Sequence, residues 1–191
     1  EKVWNKVLED GEEFGLMVIA PAHHRRIAAG ILSWGQDLDH ETSPFQVNLA
    51  YQVPRNKKSD YIGKAELERQ RDVIDSGEAP FKMKMVGITL GGKEITDYAP
   101  DFWLVADTEG NDMGYVTSPW WSPELETNIA LAWVPWSSSE VGTKLLVKLP
   151  DEYSVTPGEP VEGEVVNVPF RESVNPNKRE VEAAKGKDFA E

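Results

Sequence analysis

The second half of this chain carries short apolar runs at close intervals, each ended by a turn. Glycine and proline mark the turns, as at Gly91-Gly92 and at residues 156–158, and no helical periodicity interrupts the series. Strand-length runs at this spacing are typical of all-β architectures. The pattern predicts an antiparallel β barrel or sandwich of about six strands, at residues 82–90, 101–106, 115–117, 129–134, 144–149 and 161–168.

The first 80 residues show a different pattern. Apolar residues at helical spacing predict a helix that ends near Gly11, Pro21 suits the first turn of a second helix, and a third amphipathic helix is predicted from Tyr61 to about Asp75. Residues 14–20 are predicted to be a short buried run and residues 47–53 a strand. A break at 76–80 predicts a domain boundary. The predicted fold class is therefore α+β, with a helical region at 1–78, an antiparallel β barrel at 79–170 and a charged tail at 171–191.

Charge and composition exclude several classes of function. The chain has 33 acidic and 20 basic side chains, a net charge of −13, which disfavours nucleic acid and anionic membrane surfaces as partners. It has no cysteine, so disulfides and thiolate sites are excluded. No apolar run is long enough to cross a bilayer, and the first residues do not resemble a signal peptide. We expect a cytoplasmic location.

Residues 21–37 are the richest in side chains that carry chemistry. Taken alone, the arginines there are typical of surface cations, Trp34 of a loop anchor, and Asp37 of a turn or cap residue. The adjacent His23 and His24 cannot both face one site on a helix, and no metal site is predicted. Further along, residues 114–134 are predicted to be strand, tight turn and strand, because prolines at 119 and 123 exclude a helix. The turn would place Trp120 and Trp121 on opposite sides, one buried and one exposed.

Several motifs, taken in order, resemble the tetrahydrofolate-dependent aminomethyltransferase family, which includes the glycine-cleavage T-protein and folate-dependent S- and O-demethylases. The resemblance covers roughly residues 11–170. Two residues depart from the family's pattern: Ala22 stands where the T-protein has a folate-holding arginine, and Ala28 stands where it has a glutamate. The matching residues are Arg26, Ala29, Gly30, Trp34, Gly35, Gln36, Asp37, Pro44, the segment 61–64, the segment 114–123 and the segment 166–170.

The resemblance implies a site as well as a fold. It places Arg26, Trp34, Gln36 and Asp37 against tetrahydrofolate, and it assigns no catalytic residue to this chain. An arginine suits a carboxylate ligand, and aromatic walls suit a flat pterin. The resemblance further implies that residues 1–78 are the end of the folate-binding region. The N-terminal half of the enzyme, with its catalytic acid and pterin-binding glutamate, would lie outside this chain.

Three functions follow as expectations. The residues of these motifs resemble the demethylase branch most. In that branch an O- or S-methyl donor, such as a methoxyarene or dimethylsulfoniopropionate, gives its methyl group to tetrahydrofolate. The alternatives are glycine-cleavage aminomethyl transfer and a non-catalytic interaction module that keeps the barrel. The expected partners are the small-molecule donor and the missing half of the enzyme, and a homo-oligomer remains open. We expect this chain alone to bind tetrahydrofolate weakly and to show no turnover.

Overall fold

The structure is a computed structural model that describes residues 1–20, 22–55, 57–99 and 101–170. The predicted charged tail lies outside the described residues. Three α-helices occupy the N-terminal part of the described chain, as the sequence predicts: α1 (Lys2–Gly11), α2 (His23–Ala28) and α3 (Lys64–Asp75). The third helix begins three residues later than expected because Gly63, with φ of 87°, takes the left-handed conformation at its N-cap. No described helix is long and apolar enough to span a membrane.

The rest of the described chain forms a closed antiparallel barrel, which confirms the predicted fold class. The strands lie side by side in the order β1, β4, β3, β2, β5, β6. Each described strand pairs with a neighbour on both sides over part of its length, which limits the sheet edge open to edge-to-edge aggregation. The strands are β1 (Met83–Leu90), β2 (Trp103–Ala106), β3 (Asp112–Ser122), β4 (Thr127–Pro135), β5 (Lys144–Val147) and β6 (Val161–Val166).

Strand β4 is buried on both faces, and this divides the core in two. Its inward residues, among them Ala130 and Val134, pack inside the barrel. Its outward residues, Leu131 and Trp133 among them, pack under α2 and the segment that follows it. A strand covered on both faces reads as a continuous apolar run, which explains the unbroken sequence from 129 to 134. We call the outward set the outer cluster; its buried members are Ile27, Ala28, Val47, Met85, Ile129, Leu131 and Trp133.

The chain returns to the outer cluster after the last strand. Val168 and Phe170, in residues 167–170 (the return segment), pack against the cluster. The Phe170 N–H donates to the Ala28 carbonyl at 2.9 Å. The return segment thereby connects the end of the barrel to the end of α2. The helix is held by this hydrogen bond and by the packing of Ile27 and Ala28 in the outer cluster.

Two predictions for the N-terminal part are wrong. Residues 47–53 do not form a strand, because Asn48 has φ of 61° and a 3₁₀-helix follows at Ala50–Gln52. Residues 14–20 are not buried: Phe14 is 81% exposed and Met17 78% exposed. The outer face of the barrel is covered by α2 and the residues after it, and α1 contributes no buried residue.

The predicted turn at Pro119 is also wrong. Strand β3 continues through Pro119 to Ser122 and pairs with β4 along that whole stretch. Proline is tolerated because β2 pairs with β3 only up to Val116, so the missing N–H faces no ladder partner. The turn lies at residues 123–126 instead. Trp120 and Trp121 are consequently strand residues, and both are half-buried rather than one buried and one exposed.

Candidate functional site

Arg26 and Asp37 form an ion pair where α2 meets the barrel. Arg26 Nη1 donates to Asp37 Oδ2 at 2.8 Å, and the two side chains are 16% and 0% exposed. The same carboxylate oxygen accepts the Ser33 backbone N–H at 2.7 Å. A buried ion pair is favourable only when its other donors and acceptors are also satisfied. The remaining partners of this pair therefore decide what it does for the fold.

A bulge in β3 supplies those partners. The register between β3 and β4 shifts between Val116 and Ser118, which makes Thr117 an extra residue on β3. The hydroxyls of Thr117 and Ser118 both donate to Asp37 Oδ1 at 2.6 Å. Successive side chains of a regular strand point to opposite faces, so the bulge is what lets both reach one oxygen. We call Arg26, Asp37, Thr117 and Ser118 the bulge network.

The guanidinium of Arg26 is occupied by partners within the protein. Its Nη2 donates to Ser118 Oγ at 2.7 Å and to Gln36 Oε1 at 3.4 Å, and its Nη1 donates to the Ile31 carbonyl at 3.2 Å. Gln36 also donates through Nε2 to the Thr117 carbonyl at 2.7 Å. Arg26 thus meets an internal carboxylate, and its surroundings hold it in one orientation.

The loop at residues 33–38 brings three of the four predicted ligand-binding residues together and leaves one apart. Asp37 and Gln36 face the bulge, and the Asp37 carbonyl accepts the Trp133 indole N–H at 2.9 Å. Trp34 is 70% exposed and makes none of the side-chain hydrogen bonds described above. Arg26, Gln36 and Asp37 therefore meet at the bulge, and their contact with a ligand stays a prediction, as does that of Trp34.

An aromatic cluster lies beside the Arg26 guanidinium. The His23 ring centroid is 4.6 Å from that of Tyr98 and 4.9 Å from that of Trp120, and the latter two are 5.3 Å apart. Burial, and after it the nearby Arg26 charge, lower the pKa of His23 to about 4, against a smaller opposing effect of Asp37. His23 is accordingly neutral at physiological pH and acts as part of an aromatic wall.

This wall borders an open groove of about 890 Å³. The residues that line it include His23, Gln36, Tyr98, Arg25 and Ile31. The Arg25 side chain is exposed and donates one hydrogen bond, from Nη2 to the Ala20 carbonyl at 2.9 Å. Arg25 is therefore the guanidinium that the groove offers to an acidic ligand, beside the flat faces of an imidazole and a phenol.

Sequence reasoning missed the barrel residues of this site. The sequence predicts the end of a strand at Thr117 and a turn after it, because hydrophobic periodicity does not reveal where a bulge inserts an extra residue. Tyr98 lies in a turn-rich segment far from α2 in sequence. The one available signal is the pair of adjacent hydroxyl residues before Pro119, a proline within a strand being frequent at irregular pairing.

Comparison with known proteins agrees with this architecture. Residues 83–170 match the family described as the glycine cleavage T-protein C-terminal barrel domain. The match begins at the first residue of β1 and ends with the return segment. Related full-length proteins extend the similarity to the N-terminal part. The chain is 32% identical over 152 residues to an aminomethyltransferase of Synechococcus sp. (strain CC9902), in an alignment that covers 77% of this chain. It is 33% identical over 174 residues to an aminomethyltransferase of Thermotoga neapolitana, in an alignment that covers 88% of this chain.

These matches support a relationship of this chain to the T-protein family. A solved structure agrees with them: the glycine cleavage system aminomethyltransferase T from Bartonella henselae matches with a TM-score of 0.60 and 25% sequence identity, over 78% of this chain and 38% of that one. The T-protein relatives are much longer than the matched region, which spans 37% of the Synechococcus protein and 41% of the Thermotoga protein. No comparison distinguishes the demethylase branch.

Proposed function

We propose that this chain is the C-terminal part of a tetrahydrofolate-dependent one-carbon transferase, and that the group it moves is the aminomethyl group for which its relatives are named. The observation that carries the proposal is the bulge network. It uses residues of the motif by which the chain resembles the family. It also joins α2 to the barrel, so that the two together form one wall of the groove. This reverses the order expected from the sequence, which favoured a demethylase.

The wall has the properties that a folate-binding groove requires. Aromatic faces of His23 and Tyr98 suit a flat ring system, and the Arg25 guanidinium suits a carboxylate. Tetrahydrofolate would supply the nitrogen that accepts the carbon unit. The described residues orient the ligand and limit access of water, which is the larger part of what such a transfer needs from a protein. The rest of the enzyme would close the groove from the other side.

A second candidate is methyl transfer from an O- or S-methyl donor to tetrahydrofolate. The observation that favours it concerns two alanines. Ala22, at the N-cap of α2, lines the groove where the T-protein pattern has a folate-holding arginine. Ala28, where that pattern has a glutamate, is 2% exposed within the outer cluster. Of the two, only Ala22 removes a charge from the groove itself, and such a groove suits an uncharged donor such as a methoxyarene. In either case we place the enzyme in the cytoplasm, with a small-molecule donor and the remaining part of the enzyme as partners.

The test is a chimera. Residues 1–170 replace the corresponding segment of the Thermotoga neapolitana aminomethyltransferase, the relative matched over 174 residues. One-carbon transfer to tetrahydrofolate is then measured with an aminomethyl donor, a methoxyarene and dimethylsulfoniopropionate in parallel. We expect transfer with the aminomethyl donor and a loss of at least ten-fold in Arg25→Ala. Transfer only with a methyl donor would establish the second candidate.

Two outcomes would contradict the proposal. A folded chimera without activity toward any donor would favour a non-catalytic module. Measurable turnover by the 191-residue chain alone would show that the site is complete without the rest of the enzyme. Circular dichroism and thermal unfolding of the chimera separate loss of activity from loss of fold.

A further inference from the structure

A second cavity shares no lining residue with the groove. It has a volume of about 540 Å³, in the range of small-molecule sites. Its apolar walls come from Phe45 and Val53, from Ile74 of α3, and from Trp136 just after β4. None of these residues belongs to the bulge network or to the aromatic cluster beside it.

The cavity holds an ammonium group without an acidic partner. Lys84 Nζ lies 5.0 Å from the centroid of the Trp136 ring, and within the described chain it has no ion pair and no side-chain hydrogen bond. Burial lowers the pKa of Lys84, and no neighbouring carboxylate opposes that shift. Lys84 is half-buried, and partial removal of an ammonium from water costs free energy that an acidic partner would offset. An unpaired cation is the more unusual in a chain with a net charge of −13.

The other charges of the cavity do not neutralise Lys84. Arg55 and Asp75 form a two-pronged pair, with Nη2 to Oδ1 at 2.9 Å. Arg71 donates to the Val53 carbonyl, and its guanidinium carbon lies 5.2 Å from the Phe45 ring centroid. Its charge also interacts with Asp75, the carboxylate that pairs with Arg55. The single acid of the lining therefore serves two guanidinium groups. The lining carries three cations and one carboxylate, an excess of positive charge among its residues.

We propose that this cavity binds an aromatic monocarboxylate. The carboxylate would pair with Lys84 and lie within reach of the Arg71 charge, and the ring would occupy the apolar space bordered by Val53, Ile74 and Trp136. A charged head on a flat apolar body matches both parts of the lining. The proposal is independent of the folate-dependent function, because it uses different residues in a separate cavity.

The probe is 2-naphthoate, titrated into the 191-residue chain by calorimetry at low ionic strength. The neutral analogue 2-naphthalenemethanol tests whether the charge matters. Lys84→Met removes the ammonium and keeps an apolar chain of similar length. Lys82→Met is the matched control, since Lys82 is an exposed lysine two positions earlier. Thermal unfolding of each variant shows that it folds.

We expect saturable binding of 2-naphthoate that weakens at least ten-fold in Lys84→Met and is unchanged in Lys82→Met. Binding should also weaken as salt is raised, because salt screens the ion pair. The alcohol should bind at least ten-fold more weakly than the acid. Absence of saturable binding to the folded wild-type chain would overturn the proposal, as would equal losses in the two lysine variants or equal affinities for the acid and the alcohol.

Discussion

At the scale of single residues, Asp37 is the acceptor that holds the N-terminal layer to the barrel. Its two oxygens accept hydrogen bonds from Arg26, the Ser33 backbone, Thr117 and Ser118. These donors come from three separate parts of the sequence. Loss of any one leaves a buried polar group with fewer partners, and loss of the only cation among them costs most.

Arg26→Ala tests this directly. The variant leaves the buried Asp37 carboxylate without its counter-charge, so we expect the free energy of unfolding to fall by about 3–5 kcal/mol. Arg26→Lys should recover only part of the loss, because an ammonium cannot reproduce the bonds of a planar guanidinium. Arg25→Ala is the matched control. Its side chain is exposed, and the expected change is within about 0.5 kcal/mol. Urea unfolding followed by tryptophan fluorescence measures all three, and equal effects of the two alanine variants would exclude the assigned role.

His23 makes stability depend on pH. Its pKa in the folded chain is about 4, below the ordinary value of 6.5. Between these values the unfolded chain binds a proton that the folded chain does not, so stability falls as pH is lowered from 6.5 toward 4. His23→Gln should remove the loss of stability that comes from this histidine. Allowing for the exposed portion of the ring, that loss is about 1–2 kcal/mol in the free energy of unfolding. Comparing urea midpoints of the two proteins across that pH range measures it, and superimposable profiles would show that His23 does not contribute.

At the scale of elements, the return segment is held by close packing against β1. A Cβ atom added at Gly87 would lie 2.5 Å from Val168 Cγ2 and 2.9 Å from Phe170 Cζ. Only a residue without a side chain leaves room for the segment at that point. The glycine of β1 therefore permits the contact through which the end of the barrel reaches α2.

Gly87→Ala should displace the return segment and destabilise the protein by about 1–3 kcal/mol, as overpacking does in a filled core. Gly91→Ala, at the position directly after the same strand, is the control. The nearest atoms to its added Cβ are 3.8 Å and 3.9 Å away, which is ordinary contact, so the expected change is within about 0.5 kcal/mol. Thermal unfolding measures both variants. A neutral Gly87→Ala would mean that the segment moves aside without cost.

At the scale of the whole molecule, the barrel and the N-terminal layer share the outer cluster. Removal of residues 1–78 would expose apolar side chains such as Leu131 and Trp133 on the outside of the barrel. The lost burial is on the order of 6 kcal/mol for four such side chains, which is similar to the entire stability of many domains. By contrast, α1 has no buried residue.

Two deletions separate these contributions. A fragment of residues 79–170 should lose cooperative unfolding and bind a hydrophobic dye, because its outer cluster is uncovered. A chain that lacks residues 2–11 should unfold within about 0.5 kcal/mol of the parent. Calorimetry and dye fluorescence report both results. Cooperative unfolding of the barrel fragment at the parent's temperature would show that the layer is dispensable for the fold.

The sequence by itself determined the barrel, the three helices and the resemblance that led to Arg26, Gln36 and Asp37. Those features depend on local periodicity, turn residues and short motifs, all of which act over a few positions. Only the tertiary structure decided what these residues contact. The bulge at Thr117, the continuation of β3 through Pro119 and the exposure of residues 14–19 depend on which surfaces meet across the chain. Pairing register and burial are set by partners some 80 residues away, such as Thr117 for Asp37, and local sequence does not specify them.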